Sequence, residues 1–232
     1  MGGWVWGAVG DALRAKGARY HAPTLTGLDA DNPSSGGDVD LNTHIADIVN
    51  LCGSLGNARP VLVGHSYGGL VAMGAAERIK QGVSGVVILD GYLVSPGQSA
   101  FGGYPEVQGL LAPLIGSREA GFIEPLPMAA FGIDDAQLLE ALGRNLRPMP
   151  LATHTTALEY SPAVLRDIPR TYVRCSQFPI FEQTAARAAA DGWRVAEIDA
   201  GHMAVVTHPA RVADEILAAA EYAGRHAART NP

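Results

Sequence analysis

Residues 60–69 decide the interpretation of this chain, and they read Pro60-Val61-Leu62-Val63-Gly64-His65-Ser66-Tyr67-Gly68-Gly69. The short apolar run at the start predicts a strand, and the small and apolar residues that follow predict a helix. Between them lies a G-x-S-x-G pentapeptide centred on Ser66, the pattern of a sharp strand-to-helix turn. Glycines flank the serine because larger side chains would collide with the strand or the helix. We therefore expect the Ser66 hydroxyl to be exposed at the tip of the turn.

A serine hydroxyl needs a base and an oxyanion donor before it can attack a carbonyl carbon. His202 is the best candidate base, since Ala200-Gly201-His202 follows the last predicted strand and opens at the same edge of the sheet as Ser66. Its position after the serine is the chain order typical of this architecture. The backbone N–H of Tyr67, at the start of the next helix, is the predicted oxyanion donor. The sequence thus predicts acyl-transfer chemistry at Ser66.

The other histidines receive different interpretations. His65 is expected to support the turn from beneath, and His154 is a candidate for contact with substrate. The remaining histidines are expected to be structural or solvated, namely His21, His44, His208 and His226.

Composition excludes several classes of protein. The chain has 232 residues, of which 47% are hydrophobic, and this suits one globular domain. The net charge of −6 argues against nucleic acid and anionic membranes as partners. Cys52 and Cys175 are too few for a disulfide framework, and no signal peptide or membrane span is recognisable. We expect a cytoplasmic protein without metal or cofactor that acts on a small-molecule ester, and a homodimer remains open.

Strand-like and helix-like segments alternate, which predicts an α/β fold with a mostly parallel sheet and helices on both faces. Residues 91–168 interrupt this alternation and carry eight of the fifteen prolines. We interpret them as an inserted helical cap, so that residues 1–90 and 169–232 form the core. Predicted strands lie at 19–22, 60–64, 85–90, 171–175 and 193–198. Predicted helices lie at 4–16, 41–51, 67–81, 105–115, 134–146, 153–160, 181–191 and 209–228.

With these motifs in place, the chain resembles the α/β-hydrolases, and within them the plant methylesterases, the hydroxynitrile lyases and their bacterial relatives. The matching segments span nearly the whole chain in the same order. They are Gly2-Gly3-Trp4-Val5-Trp6, residues 62–69, Leu89-Asp90-Gly91-Tyr92, Tyr172-Val173-Arg174-Cys175 and Ala200-Gly201-His202-Met203. The resemblance implies an α/β-hydrolase fold and a Ser-His-acid triad.

The acid departs from the family pattern. Relatives place an aspartate in the loop after the strand that corresponds to 171–175, and here Phe178 takes that place. Asp90 ends the neighbouring strand, and adjacent strands lie only about 4.8 Å apart. We therefore expect Asp90 to orient His202, with Glu182 and Asp199 as the alternatives.

The N-terminus is the second departure. Relatives begin with an apolar strand and a His-Gly loop, whereas this sequence starts at Met1-Gly2-Gly3-Trp4. The resemblance implies that the missing strand lies beside the strand carrying the nucleophile, and that its loop supplies a second oxyanion N–H. Tyr67 N–H is then the one secure donor, and loss of a donor typically costs about 10²–10³ in rate.

The leading hypothesis is a serine carboxylesterase for a small, largely apolar ester, using Ser66, His202 and Asp90. The predicted cap would roof the pocket with apolar residues, namely Phe101, Tyr104, Leu110, Leu111, Met128 and Phe131. Alternatives are a weakly catalytic or non-catalytic ligand binder and a lactone-cleaving or carbon–carbon-cleaving enzyme. A hydroxynitrile lyase is less consistent with the sequence, because Met203 stands where those lyases carry a lysine.

Overall fold

The computed structural model describes residues 1–29, 38–116 and 120–230. In chain order its helices are α1 (Gly7–Ala15), α2 (Leu41–Ser54), α3 (Gly68–Arg78), α4 (Ala100–Gly103), α5 (Pro105–Leu111), α6 (Ala136–Asn145), α7 (Ala152–Thr155), α8 (Pro162–Arg166), α9 (Glu182–Ala190), α10 (Ala204–Thr207) and α11 (Pro209–Thr230). Its strands are β1 (Val61–His65), β2 (Gly85–Leu89), β3 (Phe122–Ile123), β4 (Met149–Pro150), β5 (Arg170–Cys175) and β6 (Arg194–Ile198). Short 3-10 turns lie at Gly3–Trp6, Ala112–Leu114, Met128–Phe131 and Pro179–Phe181.

The main sheet is parallel, in the spatial order β1-β2-β5-β6. Val61 aligns with Gly85 and His65 with Leu89, so β1 and β2 end at the same level. Within the described residues β1 is an edge strand. The predicted α/β class with a mostly parallel sheet is confirmed.

Helices cover both faces of this sheet, as predicted. One core cluster packs α2, α3 and α9 against the sheet, and a second packs α1 and α11 against the opposite face. Alternate residues of β2 enter different clusters, with Val86 and Ile88 in the first and Val87 and Leu89 in the second. Each fully buried side chain of this size contributes about 1.5–3 kcal/mol to stability. β2 is therefore a fully buried central strand, as its continuous apolar run predicted.

The start of α2 follows the sequence signal at Asp40. The Asp40 carboxylate accepts a hydrogen bond from the Thr43 backbone N–H at 2.9 Å, and Thr43 returns a side-chain bond to the Asp40 backbone. Such an N-terminal cap contributes about 1 kcal/mol to helix stability. The predicted cap is confirmed.

Two predicted elements are wrong. Residues 19–22 form no strand, because a strand needs a neighbour for its backbone groups and the described residues supply none there. The helix predicted over 153–160 ends at Thr155. Leu158 is instead fully buried, and its backbone N–H bonds to the Gln98 carbonyl at 2.9 Å, so core packing overrides helix propensity.

Residues 91–168 contribute no strand to the main sheet in their described part. They hold five short helices, α4 to α8, and the antiparallel pair β3–β4. Their role as a cap stays a prediction. None of the helices in the described ranges is long and apolar enough to span a membrane.

Two histidines are buried around the Tyr67 side chain. His44 Nδ1 lies 3.0 Å from the Tyr67 hydroxyl, and the His154 ring stacks on the Tyr67 ring at 5.1 Å between centroids. Burial lowers the pKa of His44, and it lowers the pKa of His154 to about 4. Both rings are therefore neutral near pH 7 and form part of the core.

The turn between β1 and α3 leaves no room for side chains at two glycines. A Cβ added at Gly64 would lie 2.1 Å from the Gly68 carbonyl oxygen. One added at Gly91, after β2, would lie 2.5 Å from the Ser66 carbonyl oxygen. At Gly68, by contrast, an added Cβ meets nothing within 4 Å, so the collision expected at both flanking glycines is confirmed at Gly64 and is wrong at Gly68. The backbone of the turn thus packs directly on itself and on the end of β2.

We expect Gly64→Ala to lower the free energy of unfolding by about 2–4 kcal/mol, because its Cβ would overlap backbone that cannot move. Gly68→Ala is the matched control and should change stability by less than about 1 kcal/mol. Urea unfolding of both variants measures the difference. Equal stability of the two variants would contradict the packing described for this turn.

Acid should destabilise the protein through its buried histidines. The pKa of His154 lies below its unfolded value of about 6.5, so the unfolded chain binds the proton first as the pH falls. The stability that His154 contributes is then fully present above about pH 6.5 and is lost between about pH 6.5 and 4. The free energy of unfolding falls by up to about 1.4 kcal/mol per pH unit for each such histidine. His154→Phe should reduce the pH dependence of the free energy of unfolding by the contribution of one histidine, up to about 1.4 kcal/mol per pH unit. Denaturant unfolding at pH 7, 6 and 5 measures it. An unchanged slope would contradict a neutral, buried His154.

Candidate active site

The Ser66 backbone has a left-handed conformation, with φ of 54°. A non-glycine residue in this region costs on the order of 1–3 kcal/mol and persists where surrounding contacts hold it. Here the Ser66 N–H donates to the Leu89 carbonyl at 3.1 Å, and the Ser66 carbonyl accepts from Tyr92 N–H at 3.3 Å and from Gly69 N–H at 3.1 Å. The end of β2 therefore fixes the serine at the tip of the turn.

Asp90 directly follows β2 and is fully buried. Its φ is 41°, and among the described residues only Ser66 and Asp90 are non-glycine residues with positive φ. The carboxylate accepts a hydrogen bond from the Cys175 backbone N–H at 3.0 Å through Oδ1. Its Oδ2 lies 2.7 Å from His202 Nδ1. Backbone strain thus coincides with two of the residues that the sequence selects for chemistry.

Burial governs the protonation of the His202–Asp90 pair. It lowers the pKa of His202 to about 3. It raises the pKa of Asp90 to about 7, against the opposing effects of the Cys175 N–H and of the nearby His65 and Arg174. Both shifts disfavour charge at this buried position, and the short contact needs one proton between Nδ1 and Oδ2. When the Asp90 carboxylate is ionised, that proton is on Nδ1 and Nε2 is unprotonated. A neutral imidazole with its Nε2 unprotonated is the state that a general base requires.

An aromatic enclosure surrounds the His202 ring, which is only 3% exposed. We use this name for Phe131, Phe178, Phe181 and His65, whose ring centroids lie 5.1, 4.5, 5.8 and 4.6 Å from that of His202. These rings exclude water from the imidazole and restrict its rotation. The sequence analysis predicted no contact between Phe178 and His202, and the one available signal was the position of Phe178 in the loop after β5, where relatives carry the acid.

His65 lies beneath the turn and bonds to the His202 loop. Its Nε2 is 2.8 Å from the His202 carbonyl oxygen. Burial lowers the pKa of His65 to about 3, and the proximity of His202 acts in the same direction. A neutral His65 therefore connects the end of β1 to the loop that carries His202.

The two alternative acids, Glu182 and Asp199, bond to residues other than His202. Glu182 is exposed, with its carboxylate 3.5 Å from the Arg174 guanidinium. Asp199 accepts hydrogen bonds from the Ser176 hydroxyl at 3.0 Å and the Gln177 amide at 3.1 Å. In the described residues neither bonds to His202, which leaves Asp90 as the carboxylate in contact with it.

Tyr67 N–H makes no hydrogen bond to the residues that the structure describes, and it lies at the start of α3. The Ser66 hydroxyl also makes none, to His202 or to any other described group. Catalytic hydrogen bonds are often long before substrate binds. No group of three or more His, Cys, Asp or Glu side chains in the described ranges is arranged to hold a metal ion.

Comparisons with known proteins agree with this arrangement of elements. The profile of the Alpha/beta hydrolase family matches residues 1–215. A carbendazim hydrolyzing esterase from Nocardioides sp. (strain SG-4G) is 29% identical over 231 residues, which cover 94% of each protein. A pyrethroid hydrolase from Sphingobium wenxiniae is 32% identical over 98 residues, covering 41% of this chain and 34% of that protein.

Solved structures share the fold at low identity. An extracellular α/β-hydrolase from a Paenibacillus species superposes with a TM-score of 0.81 at 20% identity, covering 94% of both chains. Tomato methylketone synthase I in complex with 2-tridecanone gives a TM-score of 0.82 at 17% identity, covering 96% of this chain and 94% of that one. From the matched profile and the strand–turn–helix geometry together, the chain belongs to the α/β-hydrolase family.

Proposed function

We propose that this protein is a serine carboxylesterase in which Ser66 is the nucleophile, His202 the general base and Asp90 the acid that orients the imidazole. The observation that carries the proposal is the 2.7 Å contact between His202 Nδ1 and Asp90 Oδ2. It fixes the ring with Nε2 free, and the strained turn at Ser66 is bonded to the strand that ends at Asp90. Relatives named as esterases support hydrolysis as the reaction.

In the proposed reaction, Ser66 Oγ attacks the ester carbonyl carbon while its proton passes to His202 Nε2. Tyr67 N–H donates to the oxyanion of the tetrahedral intermediate. The imidazolium returns the proton to the departing alkoxide, which leaves as an alcohol and gives a Ser66 acyl ester. Water then attacks the acyl carbon while His202 Nε2 takes its proton. The bond from Ser66 Oγ to the acyl carbon breaks, the imidazolium returns the proton to Ser66 Oγ, and the carboxylic acid is released.

The aromatic enclosure favours a small, largely apolar ester. Its rings keep the imidazole dry, and a charged acyl group would lose hydration there without a partner.

A fluorophosphonate probe tests the nucleophile, because the activated serine displaces fluoride from phosphorus and becomes labelled. We expect labelling of the protein and none of Ser66→Ala, together with a loss of about 10⁴-fold or more in kcat on p-nitrophenyl acetate. Ser54→Ala, at an exposed helix end, is the matched control. A folded protein that never labels would favour a non-catalytic ligand binder.

Replacement of the acid separates Asp90 from the alternatives. Asp90→Asn should lower kcat by about 10³–10⁴-fold, because the imidazole loses its orienting acceptor. Glu182→Gln and Asp199→Asn should change kcat by less than about threefold, since neither contacts His202. In the Asp90→Asn background, Phe178→Asp places a carboxylate beside the imidazole and should restore part of the rate. Steady-state kinetics and circular dichroism on all four proteins decide, and a large loss in Asp199→Asn alone would transfer the role to that residue.

A further inference from the structure

Two buried polar side chains, Tyr92 and His154, have hydrogen-bonding atoms without partners, and we call these two residues the polar pair. They are only 4% and 5% exposed. Their rings meet edge to face, with the centroids 6.1 Å apart. The Tyr92 hydroxyl and His154 Nε2 make no hydrogen bond to any residue in the described ranges. Buried polar atoms normally have a partner, so two unpaired atoms in one place call for an explanation.

The hydrogen bonds of Thr153 fix the position of the proton on His154. The Thr153 hydroxyl donates to the Pro150 carbonyl at 2.6 Å, and the same oxygen lies 2.8 Å from His154 Nδ1. Because the hydroxyl has only one proton to donate, its oxygen accepts from Nδ1–H. The neutral imidazole then carries no proton on Nε2, and this atom is a hydrogen-bond acceptor.

The Tyr92 hydroxyl supplies the complementary donor. Burial raises the pKa of Tyr92, so the hydroxyl keeps its proton and can both donate and accept. Among the buried tyrosines of the described ranges, it is the one whose hydroxyl makes no hydrogen bond. The other three bond through their hydroxyls, Tyr67 to His44, Tyr104 to Leu93 and Tyr172 to Gly91.

Both unpaired atoms of the polar pair retain accessible surface. Within the part of the chain that the structure describes, the side-chain nitrogen and oxygen atoms that are completely buried without a partner are Arg174 Nε and Arg194 Nη1. Tyr92 Oη and His154 Nε2 are unpaired but not sealed in this way. Each atom therefore borders a space that a small polar group can enter.

Ring contacts connect the polar pair to the proposed active site. The Tyr92 ring packs edge-on against Phe181, with centroids 5.4 Å apart, and the Phe181 centroid lies 5.8 Å from that of His202. The Tyr92 backbone N–H also donates to the Ser66 carbonyl at 3.3 Å. The polar pair thus belongs to the same cluster of rings as the proposed base, beside the proposed nucleophile.

We propose that the polar pair binds a hydroxyl group of the substrate, so that the preferred substrate is an otherwise apolar ester carrying one hydroxyl. A single hydroxyl satisfies both atoms, because it accepts from Tyr92 O–H and donates to His154 Nε2. An entirely apolar ester would leave both atoms unpaired, which is costly in a buried site. This inference rests on the proposed esterase function and extends it to substrate selection.

Matched esters test the proposal. Methyl mandelate and methyl 3-hydroxy-3-phenylpropanoate carry a hydroxyl one and two carbons from the carbonyl, and methyl phenylacetate and methyl 3-phenylpropanoate are the same esters without it. We expect kcat/KM to favour the hydroxyl ester at least tenfold in one of the two pairs. The Kd measured by calorimetry on Ser66→Ala should show the same preference, because these hydrogen bonds form without catalysis.

Substitution of the polar pair should remove this preference. In Tyr92→Phe and in His154→Phe we expect it to fall to about threefold or less, since each variant lacks one of the two hydrogen bonds. The matched control is His208→Phe, which should keep the full preference, because His208 is exposed although its Nδ1 also contacts a threonine hydroxyl, that of Thr207 at 2.9 Å. Where His154→Phe does not fold, as judged by circular dichroism, His154→Gln replaces it, and its amide oxygen should retain part of the preference.

Equal kcat/KM within both ester pairs would overturn the proposal, and so would a preference that survives either phenylalanine substitution. Water would then be the partner of the two atoms. Failure of the esterase function gives a different result. Hydrolysis and fluorophosphonate labelling would both be absent, while Ser66→Ala would still bind the hydroxyl ester more tightly than its matched ester.

Discussion

The alignment of β1 with β2 is the constraint on which the site depends. His65 lies opposite Leu89 at the ends of the two strands. The residues that follow them, Ser66 and Asp90, therefore leave the sheet at the same level. Both residues adopt left-handed backbone conformations, and the two turns are bonded to each other through the Ser66 N–H and C=O. A slip of one residue would separate the serine from the carboxylate and turn every side chain of β1 to the opposite face. Packing of α3 against this pair holds the register.

The sequence predicted the parts whose signals are local. The G-x-S-x-G turn, the Asp40 cap and the apolar run of β2 each act over a few residues, and the structure has all of them. Asp90 was also selected locally, by its place at a strand end. Its contact with His202 fits that selection, although its catalytic role stays a prediction.

The predictions that were wrong or missing concern features that depend on long-range contacts. Residues 19–22 have strand-like composition, but a strand exists only where another strand meets its backbone groups. Leu158 continues a helical pattern, yet it is drawn into the core and bonds to Gln98. The rings around His202 come from residues 65, 131, 178 and 181, which belong to three separate parts of the chain: the end of β1, the turn at Met128–Phe131 and the loop after β5. No spacing rule encodes such an encounter.

The hydrogen bond from Cys175 N–H to Asp90 has a consequence for how such sites diversify. The donor is a main-chain N–H, so it is present for any amino acid at position 175 except proline. A carboxylate at the end of β2 therefore has a hydrogen-bond donor available without any accompanying change in the neighbouring strand. Such a carboxylate needs no matching substitution on the next strand, and the loop after β5 can carry a hydrophobic side chain such as Phe178.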